Sequence, residues 1–164
     1  MSSFEIRYSE LWTYESGDCS ERLTLARLCD RGGHIHGRLE IQVNGTSLPY
    51  LGYFGPDDVC FNEWVFQLHS ALRVLTSSPC ITHIYDEGEQ GQPAFLFQRE
   101  SHDLYVSIVD SELSDGKAHP DWQRVPCSFT DFEHSATTFL TDFRQHLHTV
   151  APQFAAEWWS RVAE

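Results

Sequence analysis

RLEIQVNGTSLPY, residues 38 to 50, decides the fold class. Leu39, Ile41 and Val43 alternate with Arg38, Glu40 and Gln42, the period of a strand with one apolar and one polar face. Asn44-Gly45 follows at once, and this dipeptide accepts the positive φ that both central positions of a type I′ turn require. With a two-residue loop, Val43 pairs with Thr46, Ile41 with Leu48 and Leu39 with Tyr50, so the apolar residues of both strands share one face. Such a face has to be covered, and the next segments supply the cover.

Strand signals also lie before the hairpin. FEIRYSELWTY places Phe4, Ile6 and Tyr8 at period two, and ERLTLARLC repeats the pattern at Leu23 and Leu25 before drifting at Ala26 and Leu28. After the Gly55-Pro56 break, Phe61, Val65, Leu68, Leu72 and Leu75 form a stripe of helical period, with Asn62 or Asp58 available as N-cap and Thr76 to Pro79 as the stop. CITHIYDE, AFLFQRE, DLYVSIV and a short DWQRVPCSF then read as a second β section, the middle pair joined through Ser101-His102. Ala136, Phe139, Leu140, Phe143, Leu147 and Val150 mark a second amphipathic helix; Phe154, Trp158 and Val162 mark a third beyond Pro152. The expectation is a single α+β domain over residues 1–164: a mainly antiparallel sheet of about six to eight strands packed against two or three helices. Leu39, Ile41, Val43, Leu48 and Tyr50 should face the helix that carries Val65, Leu68 and Leu72.

Composition excludes several function classes. A chain of 164 residues with 41% hydrophobic and 13% aromatic residues has enough apolar material for one core. No run approaches the roughly 18 apolar residues of a membrane span. MSSFEIRYSE has neither a basic start nor an apolar h-region, so the cytoplasm is the expected compartment. Five cysteines, Cys19, Cys29, Cys60, Cys80 and Cys127, are scattered without a C-x-x-C pair and read as reduced thiols. The formal charge is −13, from 24 acidic against 11 basic residues, and Lys117 is the one lysine. Phosphate contacts need a basic stripe that no window supplies, so nucleic acid is not an expected partner.

Candidate chemistry concentrates in GGHIHGRLE, residues 32 to 40. His34, His36 and Glu40 are similar to the first metal half-motif of cupin-like barrels, where H-x-H precedes a glutamate. The similarity covers seven residues: Leu28 stands where the half-motif has glycine, the downstream P-x-G with its histidine is missing, and a helix follows in place of further strands. Arg38 lies between His36 and Glu40 in the same row, and a guanidinium beside a divalent cation is unfavourable unless it bends away. No metal and no cofactor are therefore expected. His146 and His148, two apart on a helix, point in different directions and cannot chelate together. No P-loop, nucleophile elbow or dinucleotide fingerprint occurs, and a non-catalytic protein is the expectation.

The opening meander with its NG hairpin, the helix NEWVFQLHSALRVL, the later strands and the closing helix FLTDFRQHLHTV together resemble the small acidic immunity proteins of bacterial polymorphic-toxin and contact-dependent inhibition systems. The resemblance is one of architecture and spans most of the chain; no functional residue is carried over. It implies a protein that binds and neutralises a cognate toxin domain with a basic surface. The acidic clusters at Asp57 and Asp58 and at Asp86, Glu87 and Glu89 are the expected contacts, with Trp12, Tyr53 and Trp159 as aromatic anchors. The alternative is a small-molecule-binding or enzymatic α+β domain built on the His34/His36 strand. Paired tryptophans, Trp158 and Trp159, also admit an oligomeric module, and the oligomeric state stays open.

Overall fold

A computed structural model describes residues 3–15, 18–28 and 33–163, with backbone only at 15 and 18–20. The hairpin of residues 38–50 forms as its pattern demands. Strand β3 (Ile35–Val43) turns through Asn44 and Gly45, at φ 54° and 77°, into β4 (Thr46–Ser47), with Val43 opposite Thr46. Leu48 N–H donates to the Ile41 carbonyl at 2.8 Å, as that register requires. Burial alternates strictly along β3, and Leu39, Ile41 and Val43 are buried, as is Leu48. Tyr50 departs from the expected pairing with Leu39. Pro49 cannot donate to the ladder, the chain swings into a left-handed φ of 64° at Tyr50, and its ring ends in solvent. Leu39 N–H instead donates to the Pro56 carbonyl, and β5 (Val59–Cys60) takes over the edge, with Val59 opposite Gly37 and Cys60 opposite His36.

On its other side β3 pairs with β1 (Phe4–Glu15), which pairs in turn with β2 (Asp18–Thr24). Phe4, Ile6 and Tyr8 stand opposite Val43, Ile41 and Leu39 and share their inner face. The ladder then slips by one residue: Ser9 faces Arg38, but Trp12 faces His36. The extra residue is a bulge at Glu10 and Leu11, with Glu10 at φ 55°, and it moves Trp12 onto the outer face and Thr13 onto the inner one. Gly37 makes the bulge possible, because a Cβ there would lie 2.9 Å from both the Ser9 carbonyl oxygen and Leu11 Cδ2. Leu25, read as part of a strand in the sequence, enters a one-turn 3-10 helix (Leu25–Arg27) and is buried there.

Helix α1 (Phe61–Ser77) separates this sheet from a second one, β6 (Cys80–Tyr85), β7 (Ala94–Glu100), β8 (Asp103–Val109) and β9 (Val125–Ser128), paired in that order. The molecule is thus α+β with antiparallel strands throughout, nine among the described residues, divided into two sheets where the sequence suggested one. A 17-residue helix between β5 and β6 carries the chain away from the first edge, so the second β section builds its own meander. Helices α2 (Phe129–Val150) and α3 (Pro152–Ala163) close the chain, with the Ser128 hydroxyl capping α2 by accepting from Asp131 N–H.

Aromatic rings join the layers. Tyr8 packs edge-on against Phe61, Phe139 and Phe143, so β1 lies mainly under α2. Phe132 touches Phe4 of the first sheet and Phe97 of the second, and Trp64 of α1 meets Tyr85 and Phe95. Two indole N–H groups of this core donate to loop carbonyls, Trp64 to Leu51 and Trp158 to Gly33. Val65 and Leu68 are buried as expected, while Leu72 is only half-buried, at a groove between α1 and α2. No helix among the described residues is long and apolar enough to cross a membrane.

Two substitutions test this packing. Leu68→Ala should lower the unfolding free energy by about 2–5 kcal/mol, as truncations in a close-packed core do, measured by urea denaturation. Gly37→Ala should cost about 1–3 kcal/mol through overpacking against the β1 bulge and should alter the near-ultraviolet signal of Trp12, whereas Gly45→Ala, in open space, should leave that signal unchanged.

Candidate functional site

The bulge in β1 shapes the surroundings of the histidine row. By turning Trp12 and Tyr14 outward it sets them beside the histidine row of β3, where the Trp12 indole stacks on His36 at 4.8 Å and Tyr14 meets the same ring edge-on at 5.3 Å. His34, two residues away on the same face, stacks behind His36 with ring centroids 6.2 Å apart and an angle of 19°. Thr13, buried on the opposite face, donates its hydroxyl to the His34 carbonyl at 2.8 Å and fixes the start of β3. The Arg22 guanidinium of β2 lies over the outer side of the Trp12 ring, 4.2 Å from its centroid.

The opposite side comes from the loop before α1. Neither residue that the sequence offered as N-cap serves as one. Cys60 occupies the cap position without a side-chain cap bond; Asn62 accepts from Ile35 N–H at 2.9 Å and donates to the Gly33 carbonyl, and Asp58 accepts from His36 Nδ1–H at 2.8 Å. Both candidate caps are spent on positioning the histidine strand. Asp58 Oδ2 also lies 3.7 Å from Arg22. Arg38, whose charge argued against a cation near the histidines, turns to Asp57 at 3.2 Å instead. Cys60 Sγ approaches His34 Nδ1 at 3.8 Å, so His34, His36 and Cys60 are the described residues placed to share a metal ion. Burial raises the Cys60 thiol above its ordinary range, outweighing the N–H groups of Glu63 and Asn62 at the helix start. Burial also holds the His36 imidazole low, against the pull of Asp58.

Next to His36 lies a cleft of about 250 Å³, bordered by His36, Asp58, Cys60, Tyr53, Glu87 and Glu89. Its rim is a hydrogen-bonded turn: Gly55 N–H donates to Gly52 O and Asp58 N–H to Gly55 O, and a Cβ on Gly52 would come within 3.0 Å of three neighbouring atoms. At the tip, Tyr53 and Phe54 pack edge-on to each other and stay 47% and 78% exposed. Across the cleft, Glu87 is half-buried, and desolvation, reinforced by Glu89 and Glu63, pushes its carboxyl up to about 7.

The fold therefore gathers Tyr53, Asp58, Glu87 and Glu89 around one cleft, with Asp57 beside it, but it does not bring in all the residues that the sequence proposed as contacts. Asp86 is an internal organiser. Desolvation would raise its carboxyl, but the Ser111 hydroxyl and the N–H groups of Glu112 and Gly88 hold it below the usual carboxylate range. Trp12 is 7% exposed, packed against Arg22 and His36, and supports the histidine row instead of serving as an anchor. Trp159 is equally buried, beside Trp158 and under Arg144, so both adjacent indoles are inside, because one faces the core and the other the groove between helices. That groove, about 540 Å³ and lined by Leu72, Leu140, Arg144, His69, His148 and Trp159, is larger than the cleft but holds none of the acidic clusters. Of the cysteines, Cys60, Cys80 and Cys127 are free thiols and Cys127 is buried, while Cys29 and the side chain of Cys19 lie outside the described residues. Sequence reading missed Phe54, whose exposure has no periodic signature, and Cys60, which reaches His34 only through the β3–β5 pairing.

Comparison of the chain with protein-family models, curated proteins and solved structures finds no match.

Glu87 provides a pH test of the cleft. Its folded-state pKa of about 7 lies above the ordinary 4.5, so the protonated form is the one that favours folding. That contribution is complete below about pH 4.5 and is lost as pH rises through 7. Glu87→Gln should therefore melt at a higher temperature than the parent protein at pH 8, with the difference vanishing at pH 4, in paired thermal denaturation scans.

Proposed function

We propose that this protein is a non-catalytic immunity-type inhibitor, which uses the acidic cleft and its aromatic rim to bind a basic domain of a cognate bacterial toxin. One observation carries the reading: residues far apart in sequence, Tyr53 and Phe54, Asp57 and Asp58, Glu87 and Glu89, converge on one face of a chain with a formal charge of −13. Opposite charges accelerate encounter but confer little affinity on their own, because exposed ion pairs are screened and contribute about 0–1 kcal/mol. Affinity comes from rings that are already ordered and still exposed, since burying them in a partner gains apolar area at little entropic cost. Tyr53 and Phe54 meet that description on a turn that is hydrogen-bonded at both ends. Asp57, exposed and joined only to the exposed Arg38 among the described residues, and Glu89, exposed at the rim, are free to reach lysines or arginines of a partner.

Co-expression with the product of the adjacent gene is the direct experiment. Growth should be rescued and a stable complex recovered. The association rate should exceed roughly 10⁵–10⁶ M⁻¹s⁻¹ at low salt and fall as salt is added. Asp57→Lys with Glu89→Lys should slow association about tenfold with little change in the dissociation rate. Tyr53→Ala with Phe54→Ala should speed dissociation by tenfold or more, in keeping with a hot-spot loss above about 1.4 kcal/mol. A harmless neighbour, no complex at low salt, or a complex indifferent to both pairs of substitutions would rule the proposal out.

A further inference from the structure

Two histidines and a cysteine meet at the junction of β1, β3 and β5, where His36 is packed against Trp12 and Tyr14 and Cys60 approaches His34. His34 is exposed at the start of β3, so its ring is not there to fill a core. His36 lies opposite Cys60 in the β3–β5 ladder, the position at which antiparallel side chains approach most closely. One ligand atom from each of His34, His36 and Cys60 lies within 4.8 Å of the other two, and Cys60 Sγ and His34 Nδ1 are already at 3.8 Å. Tetrahedral Zn²⁺ with bonds of about 2.0–2.1 Å to nitrogen and about 2.3 Å to sulfur separates its ligand atoms by roughly 3.3–3.8 Å. Closing the remaining gap of about 1 Å asks only for rotation of the exposed His34 ring and the Cys60 side chain about their own bonds, with His36 held in place by Asp58.

We infer that His34, His36 and Cys60 form a Zn²⁺ site with three protein ligands and a fourth coordination position open to the cleft. The donor set selects the ion class, since two imidazoles and a thiolate suit a borderline-soft transition metal and not Mg²⁺ or Ca²⁺. Asp58 supplies the supporting bond that ligating histidines need: by accepting from Nδ1–H at 2.8 Å it fixes the His36 ring and leaves Nε2 as the nitrogen with a lone pair. The charge balance is favourable as well. Arg38 is paired with Asp57, Arg22 with Asp58, and Glu87 and Glu89 border the cleft on the open side. The usual half-motif would have taken Glu40 from the same strand, but in this fold Glu40 accepts from Gln42 at 2.7 Å, and the third ligand comes from the neighbouring strand. This site goes beyond the inhibitor reading and does not rest on it, since the ion is titrated into the chain alone.

The test uses the full chain, purified without an affinity tag, stripped with a chelator, and titrated with Zn²⁺ in competition with a chromogenic chelator. One ion per chain should bind, tighter than micromolar. His34→Ala, which removes an exposed ring and leaves the core intact, should weaken binding by at least tenfold, as should His36→Ala, and Asp58→Asn should weaken it by about 10–100-fold. Co²⁺ in place of Zn²⁺ should show a thiolate-to-metal charge-transfer band that Cys60→Ser abolishes. His146→Ala with His148→Ala should change nothing. Absence of stoichiometric Zn²⁺ binding, affinity unaltered in His34→Ala, or a Co²⁺ spectrum without the thiolate band would each overturn the site. If Cys60→Ser does not fold, the parent Co²⁺ spectrum and the His34→Ala titration decide.

Discussion

A single extra residue in β1, accommodated by a missing side chain in β3, sets the arrangement of everything around the cleft. A strand that keeps strict alternation would put Trp12 on the same face as Tyr8, in the core beneath α2. The bulge at Glu10 and Leu11 inverts the faces halfway along: Phe4, Ile6 and Tyr8 serve the core before it, Thr13 after it, and Trp12 and Tyr14 are turned out against His36. Gly37 is the necessary counterpart, because any Cβ would collide with the Ser9 carbonyl and with Leu11. The same two strands therefore carry the hydrophobic core at one end and a polar, aromatic-walled site at the other.

The core tolerates this because rings, and not one continuous sheet, hold the layers together. Tyr8, Phe61, Phe139 and Phe143 form a contiguous cluster under the first sheet, and Phe132 links that sheet to the second through Phe4 and Phe97. Asn44, beyond serving the hairpin turn, accepts from Ser3 N–H and donates to the Pro126 carbonyl, tying the first sheet to β9 of the second. Two sheets that share no ladder among the described residues, the first in the order β2-β1-β3-β4 and the second a meander, are in this way joined by aromatic contacts and by a turn side chain.

Electrostatics around the cleft follow from what each acid is already doing. Asp86 is engaged by three donors, Gly88 of its own loop and Ser111 and Glu112 of the loop after β8, and Asp58 is divided between His36 and Arg22. Glu87, raised to about 7 by desolvation and by Glu89 and Glu63, lacks such compensation. An under-compensated negative cleft attracts a cation of any kind, whether a dication at the His34, His36 and Cys60 junction or the basic side chains of a partner at the Tyr53–Phe54 rim. The two proposals differ in which atoms meet that cation, not in the field that draws it.

Local pattern alone determined most of the elements. The β3–β4 hairpin, the β7–β8 hairpin through Ser101-His102 and the three helices are each specified by period, turn chemistry and breakers within a short window; α2 alone departs, starting at Phe129 inside the segment read as a strand, ahead of the stripe that begins at Ala136. The α+β class follows from the same signals. What lay outside the reach of the sequence was every relation between segments. The division into two sheets depends on where a helix leaves the chain, the exposure of Tyr50 depends on β5 displacing it at the edge, and the burial of Trp159 depends on a groove made by three helices. The site shows this most directly. His34 and His36 are visible as a pair in the sequence because they are two residues apart on one strand, but Cys60 and Asp58 join them only because β5 runs antiparallel beside that strand, and Arg38 leaves them only because Asp57 draws it off. Periodicity encodes which face a side chain takes; pairing across 20 or more residues is settled by packing energy summed over the whole fold, which no short window contains.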